Sequence, residues 1–177
     1  RLPIIGAPLF IISNPKLVIE QCKAGVIGSM PSLNARPASQ LDEWLAEITE
    51  GLAAHDRAHP EAPAAPFAIN QIVHKSNDRL DQDMQMLVKH KVPIVITSLG
   101  ARVEVNQAAH SYGGVVLHDV IDNRFAHKAV EKGADDKATL SALRRPMRLD
   151  RYRCTALLSH GKYQLIHQTD AVAGADD

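Results

Sequence analysis

Cysteine is nearly absent from this chain. Cys22 and Cys154 are the whole supply in 177 residues, which excludes a disulfide framework and a thiolate metal site. Aromatic residues make up only 4% of the chain, too few for a platform that stacks bases or sugars. Neither sign of charge is in excess, because 20 Lys and Arg balance 20 Asp and Glu. A nucleic-acid groove or an anionic membrane surface needs surplus cation, so neither is expected as a partner. No apolar run approaches the roughly 20 residues that span a bilayer. The opening RLPIIGAPLF lacks the basic start, long apolar stretch and small-residue cleavage site of a signal peptide. It also lacks a Met, so a few preceding residues are expected, and a cytoplasmic location is the reading that follows.

What is present is alternation. Short apolar runs are each followed by an amphipathic stretch. "PIIGAPLFII" leads to Asn14-Pro15, a helix N-cap with Pro at the first helical position, and "KLVIEQCKAG" is a helix closed by Gly25. "VIGSMPSLN" is the second run. In the helix after it Leu41, Trp44, Leu45, Ile48 and Leu52 recur at helical spacing, with Ser39 and Asp42 placed as a capping box. "HDRAHPEAPAAP" then breaks that helix as a polar surface loop. "FAINQIVH", "PIVITSLG" and "GVVLHDVI" are the remaining strands. Asn77 is placed to cap a helix striped by Leu80, Met84, Leu87 and Val88, and Gly133 closes the helix "NRFAHKAVEKG".

Strands apolar on both faces, each followed by a helix, imply a parallel sheet covered by helices. An open doubly wound sheet and a (β/α) barrel both fit. No G-x-G-x-x-G turn follows the first strand and no P-loop occurs, which puts the barrel ahead. A barrel of about 250 residues has eight βα units, and five are visible here. His55 and His59 are four apart without a third ligand nearby and read as a solvated face. No G-x-S-x-G elbow is present.

The segments "LPIIGAPLFIIS", "AGVIGSMPSLNARP", "FAINQIVHKSN", "PIVITSLG" and "YGGVVLHDV", in this order, resemble the nitronate monooxygenase family, formerly called 2-nitropropane dioxygenases. The resemblance runs from Leu2 to Asp135. It implies an α/β fold, a parallel (β/α) barrel of TIM type, of which the N-terminal five βα units are present. It also implies FMN as cofactor, and an enzyme that oxidises alkyl nitronates with O2. The domain reading is 1–135 as partial FMN-type barrel and 136–177 as an unmatched tail.

Active sites of this fold lie at the C-terminal ends of the strands. By the resemblance, Ala7, Pro8 and Leu9 wall the flavin ring, and Asn70 hydrogen-bonds it. Gln71 stands where the family usually has Leu. Thr97 and Ser98 end the next strand and carry hydroxyls that suit either a ligand or a helix cap. His118 and Asp119 end the fifth run. Neighbours on a strand face opposite ways, so the two do not enter one pocket together; His118 is read as lining the flavin face. The family's catalytic His falls beyond the matched region, so the catalytic residue is unassigned.

Just where a sixth strand is due, the text turns to "DKATLSALRRPMRLDRYRC". Arg144, Arg145, Arg148, Arg151 and Arg153 follow, with no Gly before Gly161, so no phosphate nest is expected there. Leu140, Leu143 and Met147 suggest a short helical stripe, and "KYQLIHQT" a strand. The expectation is that the coding sequence shifts frame, or was misassembled, near Asp135; translating the other two frames tests it. Five units also leave open sheet edges, which predicts self-association. Beside the nitronate reading stand two others: a related NADH:quinone or enoyl reductase, and an inactive fragment or interaction module derived from an FMN-barrel enzyme.

Overall fold

The computed structural model describes residues 4–120, 123–135, 139–142 and 154–157. Helix α1 (Pro15–Lys23) starts as its sequence dictates: the Asn14 side chain accepts from the Leu17 N–H, and Pro15 takes the first turn. It ends at Gly25, whose φ of 81° lets the Gly25 and Val26 N–H groups turn back onto the Cys22 and Gln21 carbonyls. Strand β1 (Ser29–Pro31) runs into a 3₁₀ turn, Ser32–Asn34. Helix α2 (Gln40–Ala58) buries Leu41, Leu45, Ile48 and Leu52, four of the five residues of the stripe that the spacing predicts, with Trp44 partly buried against them.

Beyond α2 come β2 (Ala68–Ile72), α3 (Leu80–Lys89), β3 (Ile94–Ser98), α4 (Val103–His110), β4 (Val115–Val120) and α5 (Asn123–Glu131). Strands β1 to β4 pair in parallel in sequence order. This is the arrangement of successive βα units, and the fold is a partial (β/α) barrel. Two apolar clusters flank the sheet. Ile69, Val73, Val95 and Val116 face the helices, packed with Val18, Leu45, Ile48 and Leu87. On the other, concave face lie Ala68, Ile94, Ile96 and Leu117, with Ile27 and Ala65.

Several expectations are corrected. The first apolar run is no strand but a single parallel bridge, Ile5 to Ile27, because Pro8 has no N–H to extend a ladder and the chain turns at Leu9. The Ser39 capping box does not form: Ser39 is itself helical and its side chain bonds no backbone N–H. Asp42 instead meets Lys89 Nζ at 2.8 Å and His90 Nε2 at 2.6 Å, and Lys89, then His90, hold its carboxyl below the usual range. Asn77 accepts from the Arg79 N–H one turn before α3, whose N-cap is Arg79. The loop after α2 is not wholly on the surface, since Ala64 and Ala65 are buried.

The sheet also continues past Asp135. Strand β5 (Thr139–Ala142) pairs in parallel with β4, and β6 (Cys154–Leu157) pairs antiparallel with β5. Leu140 therefore lies in a strand, not in a helical stripe. The edge of β4 offers backbone donors and acceptors that any sequence can pair, so no apolar run was needed. An antiparallel β6 departs from barrel order. Leu143, Met147 and "KYQLIHQT" lie outside the described residues. Among the described residues no helix is long and apolar enough to cross a membrane.

Candidate functional site

Register decides which strand-end side chains can meet. Gln71 pairs with Thr97, and Thr97 with His118. These three share the parity of Ile69, Val95 and Val116, so they face the helices. Asn70 pairs with Ile96; it shares the concave face with Ser98 and Asp119. The sequence-predicted residues thus separate into two groups on opposite sides of one sheet.

On the concave face Asn70 is 7% exposed. Its Nδ2 donates to Ile96 O at 3.0 Å and to Ser98 Oγ at 2.8 Å. The second bond is diagonal, two residues further along the neighbouring strand, which is within reach of an Asn side chain. Ser98 Oγ donates in turn to Asp119 Oδ2 at 3.5 Å. Burial pushes the Asp119 carboxyl up, against the opposing Ser98 hydrogen bond. Asn70, Ser98 and Asp119 form one continuous polar line across the ends of β2, β3 and β4.

On the helix-facing side Thr97 Oγ1 lies 2.5 Å from His118 Nδ1 and donates to Leu117 O at 3.4 Å. A hydroxyl has one proton, so with that donation made the His118 Nδ1–H is the donor to Thr97. Burial first, and then the cation of Lys132, push the His118 pKa down, so the ring is held neutral. The expectation that His118 lines the flavin face is corrected by the register: it points away from the concave face. Gln71 sits beside it, fully buried, accepting from Ser32 Oγ at 3.0 Å. Its Nε2 has no partner.

Ala7, Pro8 and Leu9 follow the Ile5 bridge, at the same end of the sheet. Leu9 is 46% exposed. Sequence reasoning missed the residue that fixes this segment, Asn34, which lies within the quoted "SLNARP". Its Nδ2 donates to Leu9 O at 3.0 Å and Ser13 O at 2.8 Å, and its Oδ1 accepts from the Ile11 N–H at 3.0 Å. Arg79 was missed too. Its guanidinium donates to Ala35 O at 2.8 Å and to Asp83 Oδ1 at 3.0 Å, tying α3 to the turn that carries Asn34. No local signal marks either residue, because the partners of Asn34 and the loop carbonyls reached by Arg79 are distant in sequence. His55 and His59 lie with ring centroids 4.7 Å apart and planes tilted by 40°, and among the described residues no group of three or more His, Cys, Asp or Glu could hold a metal.

No family model and no curated protein matches this chain at the level of sequence. Solved structures do match its fold. The chain is similar to FabK from Thermotoga maritima, with a TM-score of 0.63 and 21% identity over 79% of this chain and 40% of that one. It is similar to a nitroalkane oxidase from Streptomyces ansochromogenes, with a TM-score of 0.65 and 19% identity over 79% of this chain and 46% of that one. The chain therefore spans less than half the length of either structure, and what is shared with both is the fold, a partial barrel.

Proposed function

We propose that this chain is the N-terminal part of a flavin-dependent oxidoreductase that holds FMN over the concave strand ends and oxidises alkyl nitronates with O2. The observation that carries the reading is the polar line Asn70–Ser98–Asp119, placed where ligands bind in this fold. Its donor set suits the edge of a flavin ring. Asn70 spends both Nδ2 protons on Ile96 and Ser98, which leaves Oδ1 as an acceptor for a ring N–H. Asp119, whose carboxyl pKa is pushed up by burial, ends the line and receives the Ser98 hydroxyl. Ala7, Pro8 and Leu9 supply the small and apolar side of the site. When bound, the flavin supplies the redox chemistry, and these residues orient it.

The phosphate is a different matter. Among the described residues no glycine pair lies at the C-terminal end of a strand; Gly113 and Gly114 precede β4. The contacts named above all lie toward the ring, and on those contacts riboflavin should bind about as well as FMN. The resemblance of "SLNARP" and "VHKSN" favours the nitronate branch. The fold shared with FabK supports, as a second reading, the enoyl reductase branch of the same barrels.

Equilibrium titration of the purified chain with FMN and with riboflavin, followed by flavin fluorescence, tests the proposal. Saturable binding of both, weakened about tenfold in Asn70→Ala by loss of the buried Oδ1 acceptor worth on the order of one hydrogen bond, is the expected result. O2 uptake with alkyl nitronates then separates the branches. A chain that takes up neither flavin refutes the reading and leaves an inactive fragment or interaction module. Self-association through the open edges, proposed as well, is read from the same material by sedimentation.

A further inference from the structure

We propose that Asn34 is a positioning residue that clamps the Leu9–Ile12 loop as a preformed apolar wall over the flavin site. The inference rests on the functional reading above and deepens it.

Four successive apolar side chains in this loop stand in solvent: Leu9 at 46%, Phe10 at 55%, Ile11 at 75% and Ile12 at 63% exposed. A run of that kind collapses onto the nearest apolar surface unless its backbone is fixed. Here the backbone is fixed, at a local cost. Ile11 has φ of 69°, a left-handed conformation that a β-branched residue adopts with strain. Something must hold it there.

The carboxamide of Asn34 does so. Both protons of its Nδ2 and its Oδ1 are engaged by one five-residue segment. The two Nδ2 protons go to the carbonyls of Leu9 and Ser13, at its two ends, and Oδ1 receives the N–H of Ile11, at its centre. Ser13, 1% exposed, closes the base of the loop: its Oγ accepts from the Leu9 N–H at 2.9 Å, and its own N–H donates to Leu9 O at 3.0 Å. Arg36, two residues beyond Asn34, sets its guanidinium 5.1 Å from the centre of the Phe10 ring, a cation–π distance. One turn of chain, 34–36, thus grips both the backbone and the aromatic side chain of the loop.

No shorter side chain reaches all three groups, and Asp in this place would offer no donor to either carbonyl. The loop leaves the Ile5 bridge at its C-terminal end, the end at which Asn70, Ser98 and Asp119 lie. Its apolar side chains, held outward, are therefore rim and not core. A ligand that enters over the concave face finds that rim already formed and does not have to order it, which is an affinity gain from preorganisation.

Chymotrypsin cleavage after Phe10, measured on the full chain with and without FMN, tests the clamp and the wall together. In the wild-type chain FMN should slow cleavage. In Asn34→Ala cleavage should rise about tenfold, FMN affinity should fall about tenfold, and FMN should no longer protect, since the freed loop pays its own ordering entropy. The urea midpoint of Asn34→Ala serves as the control for global unfolding, and Asn34→Asp should behave like Asn34→Ala in all three readouts. Unchanged cleavage in Asn34→Ala overturns the clamp. Faster cleavage with FMN affinity and protection unchanged overturns the positioning role. A wild-type chain that binds no FMN overturns the functional reading and the wall with it, while the cleavage arm still decides the clamp.

Discussion

Arg79 and Asp83 offer the sharpest measurement of what holds the site-bearing turn. They face each other at i, i+4 on the lip of α3, 3.0 Å apart, with the Asp83 side chain 1% and the Arg79 side chain 20% exposed. The carboxylate is thus more deeply buried than its partner. Replacing Arg79 by Met strands that carboxylate in the core, a change that costs about 3–5 kcal/mol in comparable buried pairs. It also removes the donor to Ala35 O. Asp83→Leu is milder, about 1–3 kcal/mol, because the guanidinium keeps the Ala35 carbonyl and a share of solvent. The double variant Arg79→Met/Asp83→Leu buries no unpaired charge, so it should cost less than the two singles added, by about 2 kcal/mol or more. Urea unfolding of the four proteins gives the cycle. Additive costs, or an Arg79→Met penalty under about 1 kcal/mol, would mean the pair is not buried as described and refute the reasoning. Because Arg79 also holds the Ser32–Ala35 turn, Arg79→Met should raise cleavage after Phe10, and Asp83→Asn should not.

Two further expectations follow from single positions. His118 has its pKa pushed below the ordinary value, first by burial and then by Lys132, so the folded chain resists protonation where the unfolded chain does not. Its contribution to stability is complete above an unfolded pKa of about 6.5 and is lost as pH falls through the lower folded value. Thermal melts from pH 7.5 down to 5 should therefore fall more steeply for the wild type than for His118→Gln; parallel curves would show that His118 is not held neutral by the fold. Lys91 occupies the left-handed position after α3, with φ of 47°, and its N–H closes onto Val88 O. Glycine carries no Cβ penalty there, so Lys91→Gly should raise the urea midpoint, with a gain of about 1 kcal/mol. A loss would mean that the lysine side chain contributes more than its backbone costs.

Much of the scaffold was legible because its determinants are local. The Asn14-Pro15 start of α1, the Gly25 and Gly133 stops and the buried stripes of α2 and α3 all depend on neighbours within about one turn. What was not legible depends on contacts made across the fold. Asp42 looked like the partner of Ser39 in a capping box, yet Lys89 and His90 claim it from 47 and 48 residues away. Asn34 looked like part of a motif and is a clamp for residues 21 to 25 positions earlier. The candidate site was half legible. Alternation along β4 required His118 and Asp119 to part, but which of them took the concave face depended on register with β3, and register is a property of the pair.

That parting gives the strand ends a chemical polarity. The concave line can donate in one direction only: the Asn70 amide has no basic nitrogen, so it gives its proton to Ser98, and the Ser98 hydroxyl, its acceptor side filled, gives its own to Asp119. Each group in the line has its role set by the one before it. Asp119, at the end, receives from Ser98 a long hydrogen bond of 3.5 Å, too weak to compensate the loss of water. Burial therefore dominates, and it pushes the carboxyl pKa up. On the other face His118, with its proton affinity lowered, is driven toward a neutral form as well. The fold thus parts His118 and Asp119 onto opposite sides of one sheet, with burial shifting the pKa of each in the direction that favours its uncharged form, and only the carboxyl faces the side on which a ligand can lie.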